Sequence, residues 1–478
     1  MLFCMVALLG IPAFAEVGPE VVPGDMDLTK RAAEMDALHQ WLTANEGGLV
    51  EAFVVEIPEA KMAELKAAPR DSGRLMVGVN HELGLPVGLD NKHNVGHMNF
   101  GADRTQWVAA FRSPGATAMR LHLTNFVLPE GAAVYVYNDQ GDAFGPYTGK
   151  GYSGNGEQWT HTVFGDEIRL QLHLEGPVSI KQVTRGALFT INEVAHMGEN
   201  FIFAETRNPT KAFCSSNESC IQNAACSSIP TAIQPAEDAV AHLLFAVGSS
   251  QFICSGGLLN DTDTTTQRPL LLTANHCFSS ASSASSLEAY FQYTTSCGGS
   301  CYNPYSASLP RTVGSTILAT NGTSDYTMVE LSQSAPAGSV LLGWSSSAVA
   351  FSSGTSLYRL SHPKGSPQAY STHSVNTTAG TCGSWPRGSW IYSDDTFGAT
   401  EGGSSGSVVL NSSGQVVGQL FGACGTNVNN PCDSASNATV DGAFAVTFSS
   451  VSSWLTSTGG GGGCHVGAPG TANYCSSS

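Results

Sequence analysis

Three residues of this 478-residue chain have side chains that together can carry out acyl transfer: His276 in FICSGGLLNDTDTTTQRPLLLTANHCF, Asp325 in TSDYTMVEL and Ser405 in GGSSGSVV. A serine hydroxyl is a weak nucleophile until a neighbouring base takes its proton, and an imidazole is that base when a carboxylate fixes its tautomer. Each residue alone is ordinary. A Gly/Ser cluster between strands reads as a turn, a histidine ending an apolar run is more often structural, and an aspartate before a strand caps its own backbone. Together they stand in the order His, Asp, Ser, separated by 49 (325 − 276) and 80 (405 − 325) residues. That spacing suits two β barrels, the first supplying His276 and Asp325 and the second Ser405. Cys277 beside His276 would pin the backbone of the base, with Cys254 and Cys277 bracketing a hairpin. The glycines around Ser405 permit a sharp turn, which would aim the amides of Gly403 and Ser405 at one point and stabilise an oxyanion there.

The elements that must position these residues fall into two halves. Residues 25–46 read as an amphipathic helix with Leu28, Met35, Leu38 and Leu42 on one face and NEGG as its stop. Period-2 alternation follows: Met119, Leu121 and Leu123, a break at Pro129-Glu130-Gly131, then Val134 and Val136, and again Ile168, Leu170, Leu172 and Leu174. This predicts a small, cysteine-free β sandwich over about 50–190. From 214 to 457 the chain is rich in Ser, Thr, Gly and short apolar strands, with Arg268, Arg311, Arg359, Lys364 and Arg387 as its basic residues. That composition predicts an all-β, disulfide-stapled domain the size of a double barrel, closed by Trp454 and Leu455 on a short helix. A polar, basic linker at 206–213 separates the halves, and a Gly-rich, Cys-containing tail occupies 458–478.

Composition narrows the function. A net charge of −17 without clustered Lys or Arg excludes nucleic acid as a partner. MLFCMVALLGIPAFA ends in a small-x-small pattern, so residues 1–15 read as a signal peptide and 16–205 as a region carried ahead of the second domain. No later run is long and apolar enough to span a bilayer. Beyond Cys4, the twelve cysteines lie between Cys214 and Cys475, as expected of disulfides in an exported protein. No cysteine or histidine spacing suggests a zinc site and no dense acidic loop suggests calcium, so no metal or cofactor is expected.

LLTANHC, SDYTMVEL, SHPKGSP and EGGSSGS together resemble the chymotrypsin-fold serine proteases, and within them the bacterial lysyl-endopeptidase branch. The resemblance covers 214–457 and implies a double six-stranded barrel with His276 as general base, Asp325 as its orienting carboxylate and Ser405 as nucleophile. The upstream sandwich is similar to the pro-regions that precede such enzymes. What this implies is a secreted, monomeric endopeptidase acting on polypeptides, whose own pro-region is its partner before processing. SCIQNAAC further suggests Cys220–Cys432, Cys226–Cys297 and Cys254–Cys277 as the branch pairs them. The remaining six stay open, with Cys382–Cys424, Cys464–Cys475 and Cys214–Cys301 as the candidate pairs.

Two departures matter. Ser404 stands before the nucleophile where trypsin-like zymogens carry an aspartate, so no new N-terminus can activate the enzyme through that ion pair. The oxyanion site is then expected to be largely preformed, with the pro-region as folding aid or plug. Ala399 replaces the trypsin-type acid six residues before the nucleophile. The branch instead places an acid nine residues after its late cysteine, which is Asp441 here, and implies a basic P1 residue, lysine over arginine. A turn role for Asp441 is the alternative. Few lysines in the second half and Lys211 in the linker agree with a lysine-directed enzyme that releases itself. Substrate would add as a strand to Gly418–Ala423, with Phe421 and Gly422 lining the pocket. His362 is expected to be structural, and Asp394 and Asp395 to form a solvated loop rather than a competing acidic pocket. The competing functions are a catalytically silent binding protein or adhesin on the same fold, and an active protease with a non-basic P1.

Overall fold

The computed structural model describes residues 17–48, 50–68, 73–88, 95–100, 104–175, 187–198, 214, 216–306 and 308–456. The expected signal peptide, the expected linker with Lys211, and the tail with Cys464 and Cys475 lie outside these residues.

The N-terminal helix spans Leu28–Ala44, shorter than 25–46 because Asp27 accepts the amides of Thr29 and Lys30 and so caps it. Leu42 is its one buried residue, Met35 and Leu38 pack beside it on Tyr137 and Ala143, and Leu28 points outward. A second helix, Glu59–Ala67, was not expected from the sequence.

Two sheets then pack face to face. One orders Ala52–Val54, Arg104–Arg112, Glu167–Glu175, Ala132–Tyr137 and Ala143–Tyr147, with His97–Phe100 beside Arg104–Arg112. The other orders Val163–Phe164, Ala118–Thr124, Phe189–Met197 and Leu75–Val87. The alternating residues Ile168, Leu170, Leu172 and Leu174 meet Met119, Leu121 and Leu123 in one buried core, as the period-2 pattern requires.

This second sheet does not stop at the sandwich. Leu75–Val87 pairs antiparallel with Ser250–Leu259, so the sheet of the N-terminal half runs on into the first barrel. That barrel is built from Val240–Val247, Ser250–Leu259, Leu270–Ala274, Tyr326–Leu331, Ser315–Asn321, Glu288–Phe291 and Arg311–Val313. The second barrel is closed, in the order Ser356–Ser361, Ala369–Val375, Trp390–Phe397, Asn437–Ala443, Val416–Gly425 and Val408–Leu410. Helix Phe444–Leu455 seals the seam between the barrels by packing Phe444 and Phe448 on Trp344.

The junction of the halves carries charge as well as sheet. Buried Glu288 of the first barrel accepts the amide and hydroxyl of Thr162 and faces Arg311, at 3.4 Å, and Arg120 of the sandwich, at 4.0 Å. Five disulfides staple the second half: Cys214–Cys301, Cys220–Cys432, Cys226–Cys297, Cys254–Cys277 and Cys382–Cys424. All five are pairs the sequence offered.

Candidate active site

His276 follows strand Leu270–Ala274, and the Cys254–Cys277 disulfide ties its loop to Ser250–Leu259. Asp325 precedes Tyr326–Leu331 with φ of 50°, a left-handed conformation that aspartate tolerates better than most residues. The turn points its carboxylate back at the histidine. Asp325 Oδ2 accepts His276 Nδ1 at 2.6 Å, and Oδ1 accepts the His276 amide at 2.8 Å. The carboxylate therefore fixes both the ring and the backbone of the base, leaving Nε2 as the free face of the imidazole. Gln419 Nε2 anchors this turn from the second barrel by donating to the carbonyls of Ser324 and Asp325.

Ser405 lies in a turn that only glycines can make. Gly403 and Gly406 have φ of 94° and 80°, and a Cβ on Gly406 would sit 2.1 Å from Thr273 Oγ1. The Ser405 carbonyl accepts the Ser255 amide, which ties the second barrel's serine to the first barrel's strand. His276 Nε2 and Ser405 Oγ face one point: a Cβ placed on Gly73 would lie 2.7 Å from the first and 3.1 Å from the second. Gly73 belongs to the N-terminal half of the chain. Its carbonyl accepts the Gly403 amide at 3.1 Å, so the proposed oxyanion donor already holds a peptide oxygen.

The loop presenting Gly403 is held from several sides. The Gly402 carbonyl accepts the Lys364 amide, and the Gly403 carbonyl accepts Ser255 Oγ. Glu401 is clamped by Lys364 Nζ at 3.2 Å and Asn217 Nδ2 at 2.7 Å. Burial pushes the Glu401 carboxyl up, and the Lys364 ammonium pulls it back. Ser404 is buried and accepts Ser361 Oγ, so no charge stands where a trypsin-like aspartate would.

The pocket residues divide. Phe421 packs edge-on against His276 and against Trp385 and Trp390, forming an aromatic wall braced by Cys382–Cys424. A Cβ on Gly422 would meet nothing within 4 Å, so the chain there borders open space. Strand Val408–Leu410 pairs Val416–Gly425 only as far as Gln419, which among the described residues leaves the edge beyond Leu420 without a strand partner on that side.

Asp441 departs from the expected geometry. Its side chain is fully buried inside the second barrel, and Oδ1 accepts Arg359 Nη2 in an ion pair. Burial pushes its carboxyl up against the pull of Arg359. An aspartate whose charge is answered by a neighbouring guanidinium is not a bare anion at a pocket base, nor is it a turn residue, since it lies within strand Asn437–Ala443. Asp394 and Asp395 also differ from expectation, because they lie on strand Trp390–Phe397 rather than in a solvated loop. Asp395 bonds His373 and Thr439, and although burial pushes its carboxyl up, His373 holds it below the usual range. Thus Arg359, His373, Asp395 and Asp441 form one polar network in the barrel, which nothing in the sequence joins together. His362 is buried, bonds the Ser366 carbonyl and stacks on Tyr293, and burial lowers its pKa to about 4, as befits a structural imidazole. The sequence marks neither Gly73 nor Lys364 as a site residue: Gly73 lies in no motif, and Lys364, though within SHPKGSP, shows its role only through Glu401. Among the described residues no cluster of His, Cys, Asp or Glu could hold a metal ion, and no helix is long and apolar enough to cross a membrane.

Residues 214–436 match the family model described as the C-terminal domain of lysyl endopeptidase. A curated lysyl endopeptidase of Pseudomonas aeruginosa is 28% identical over 323 residues, which is 64% of this chain and 65% of that relative's length. Solved structures similar to the chain include an HtrA-type protease, AlgW with tripeptide, at 14% identity and TM-score 0.33 over 46% of this chain and 62% of that one. Another is the Rv3671c protease in an inactive form, at 13% identity and TM-score 0.32 over 47% and 92%. Residues 214–436, which carry most of the two barrels and all five disulfides, are thus similar to the C-terminal domain of lysyl endopeptidase, on an all-β double-barrel fold of the chymotrypsin type.

Proposed function

We propose that the chain is the precursor of an exported serine endopeptidase that works through Ser405, His276 and Asp325. Ser405 Oγ attacks the peptide carbonyl, His276 Nε2 takes the proton and returns it to the leaving amine, and water then releases the acyl-enzyme. The Gly403 and Ser405 amides receive the developing negative charge, each such donor being worth about 3 kcal/mol. The observation that best supports this reading is the convergence on Gly73. A single residue lies so close that a Cβ added to it would meet both the free nitrogen of the histidine and the serine hydroxyl, while its carbonyl takes the Gly403 amide.

The same contact supports a precursor silenced by occupancy. With Ser404 uncharged and the oxyanion loop clamped by Lys364 and Asn217, activation consists of removing the pro-half rather than of building the site. The disulfide set agrees with an oxidising, extracellular destination.

For the residue before the cut, kinship with a lysyl endopeptidase favours lysine. A second reading, an uncharged P1, is favoured by the Asp441–Arg359 pair, which leaves no unmatched charge at Asp441. Processed protein from cells expressing the full chain, incubated with a peptide library beside a Ser405→Ala control, tests both. Cuts after lysine, absent from the control, are expected; cuts after apolar residues retain the mechanism and replace lysine with the second reading. A correctly folded sample with no Ser405-dependent cleavage refutes the enzyme.

A further inference from the structure

Arg74 follows Gly73 directly, and its surroundings form a binding site. Its Nη1 donates to two carbonyls, those of His276 at 3.2 Å and Cys277 at 3.1 Å. Its guanidinium carbon lies over the Phe252 ring, 4.8 Å from the centroid. These three wall groups all come from the protease half, and the wall is stiff. His276 and Cys277 sit on the loop fastened by Cys254–Cys277, and Phe252 lies on the strand that holds Cys254.

The polarity of the chain says which side of the cut this site serves. In a bound substrate, the residue whose carbonyl faces the oxyanion donors is on the acyl side, and the next residue belongs to the departing amine. Gly73 gives its carbonyl to Gly403, so Arg74 stands at the leaving-group position. From there the pro-half continues as a strand along Ser250–Ile253.

We infer that the mature enzyme carries an arginine-binding subsite for the residue immediately after the scissile bond, formed by the carbonyls of His276 and Cys277 and the face of Phe252, and that Arg74 fills it before processing. This rests on the reading of Ser405 and Gly403 as nucleophile and oxyanion donor. Two outward-facing carbonyls suit a donor-only cation, and the ring face suits a planar one, so arginine is selected over lysine. The subsite is separate from the P1 pocket and constrains the opposite half of the substrate.

The test uses processed enzyme from cells expressing the full chain and peptides that share one cleavable bond but carry Arg, Lys, norleucine or Ala after it. The expected kcat/KM is about tenfold higher for Arg than for norleucine, with Lys between. In a Phe252→Leu variant, which keeps the apolar bulk, the Arg-to-norleucine ratio falls by about threefold. The ratio is read within each variant, so a general loss of activity does not mimic the effect. Equal rates for Arg and norleucine in an enzyme whose cleavage vanishes with Ser405→Ala overturn the subsite while leaving the function intact. Cleavage that persists in Ser405→Ala overturns the function and the subsite with it.

Discussion

Replacing Lys364 by methionine isolates the clamp on the oxyanion loop. The substitution keeps the length of the side chain and removes the ammonium that faces Glu401 at 3.2 Å, where the two side chains are only 15% and 5% exposed. Breaking a buried pair by deleting one partner costs about 3–5 kcal/mol. Here Asn217 still donates to Glu401 and Lys364 retains some contact with solvent, so the lower end applies, about 3 kcal/mol at pH 8. The pH sets the sign of the change. Burial already holds the Glu401 carboxyl above its ordinary value, so its ionisation disfavours the fold, and loss of Lys364 raises it further. The deficit of Lys364→Met therefore shrinks as pH falls and Glu401 takes up a proton, by up to about 1.4 kcal/mol per pH unit. Adding Glu401→Gln removes the stranded charge and recovers most of the loss. Urea unfolding of the full chain, with Ser405→Ala in every variant to prevent self-digestion, measures all three at pH 8 and pH 5. In the active background the same lysine change should lower kcat with little effect on KM, because it loosens Gly403 rather than the substrate pocket. A deficit equal at both pH values, or strict additivity of the two substitutions, refutes the clamp.

Three further outcomes are expected. Gly73→Leu drives a side chain into His276 Nε2 and Ser405 Oγ, so the unprocessed chain should label with a small serine-directed phosphonate about tenfold faster, and unchanged labelling counts against occupancy. Asp441→Asn strands the Arg359 guanidinium inside the second barrel and should cost about 3–5 kcal/mol in urea unfolding, whereas a wild-type-like midpoint would mean that the pair is not structural. His173, His196 and His362 are each lowered to about 4 by burial, so the unfolded chain binds protons that the folded one refuses. Stability should accordingly be lost as pH falls from about 6.5 towards 4, at about 1.4 kcal/mol per pH unit per histidine, and His362→Gln should reduce that slope by one histidine's share.

What could be read from the sequence follows from how local each signal is. Period-2 runs such as Ile168 to Leu174 announce strands because alternation is enforced within a single stretch. His276, Asp325 and Ser405 were legible because residue type and chain order carry their meaning without knowledge of the path between them. The helix starts later than 25 because Asp27 caps it through its side chain, which makes Leu28, the first residue of the apolar face, the first helical residue. The ion pair of Asp441 was hidden for the opposite reason. Its partner Arg359 stands 82 residues earlier on another strand of the barrel, and nothing local to either residue reveals the pairing. Gly73 and Arg74 were invisible as site residues for the same cause, since only the pairing of Leu75–Val87 with Ser250–Leu259 brings them across from the other half of the chain.

That shared strand pair has a bearing on how the molecule is assembled and taken apart. A ladder of backbone hydrogen bonds together with the buried Arg120–Glu288–Arg311 cluster makes the two halves one cooperative unit, so neither can open locally without exposing a sheet edge and stranding charge. A cut in the segment that joins them would therefore remove the covalent connection but not the association. On the proposed reading the nicked chain is expected to stay a two-piece complex, with the interval between cleavage and separation set by how fast one strand peels from another.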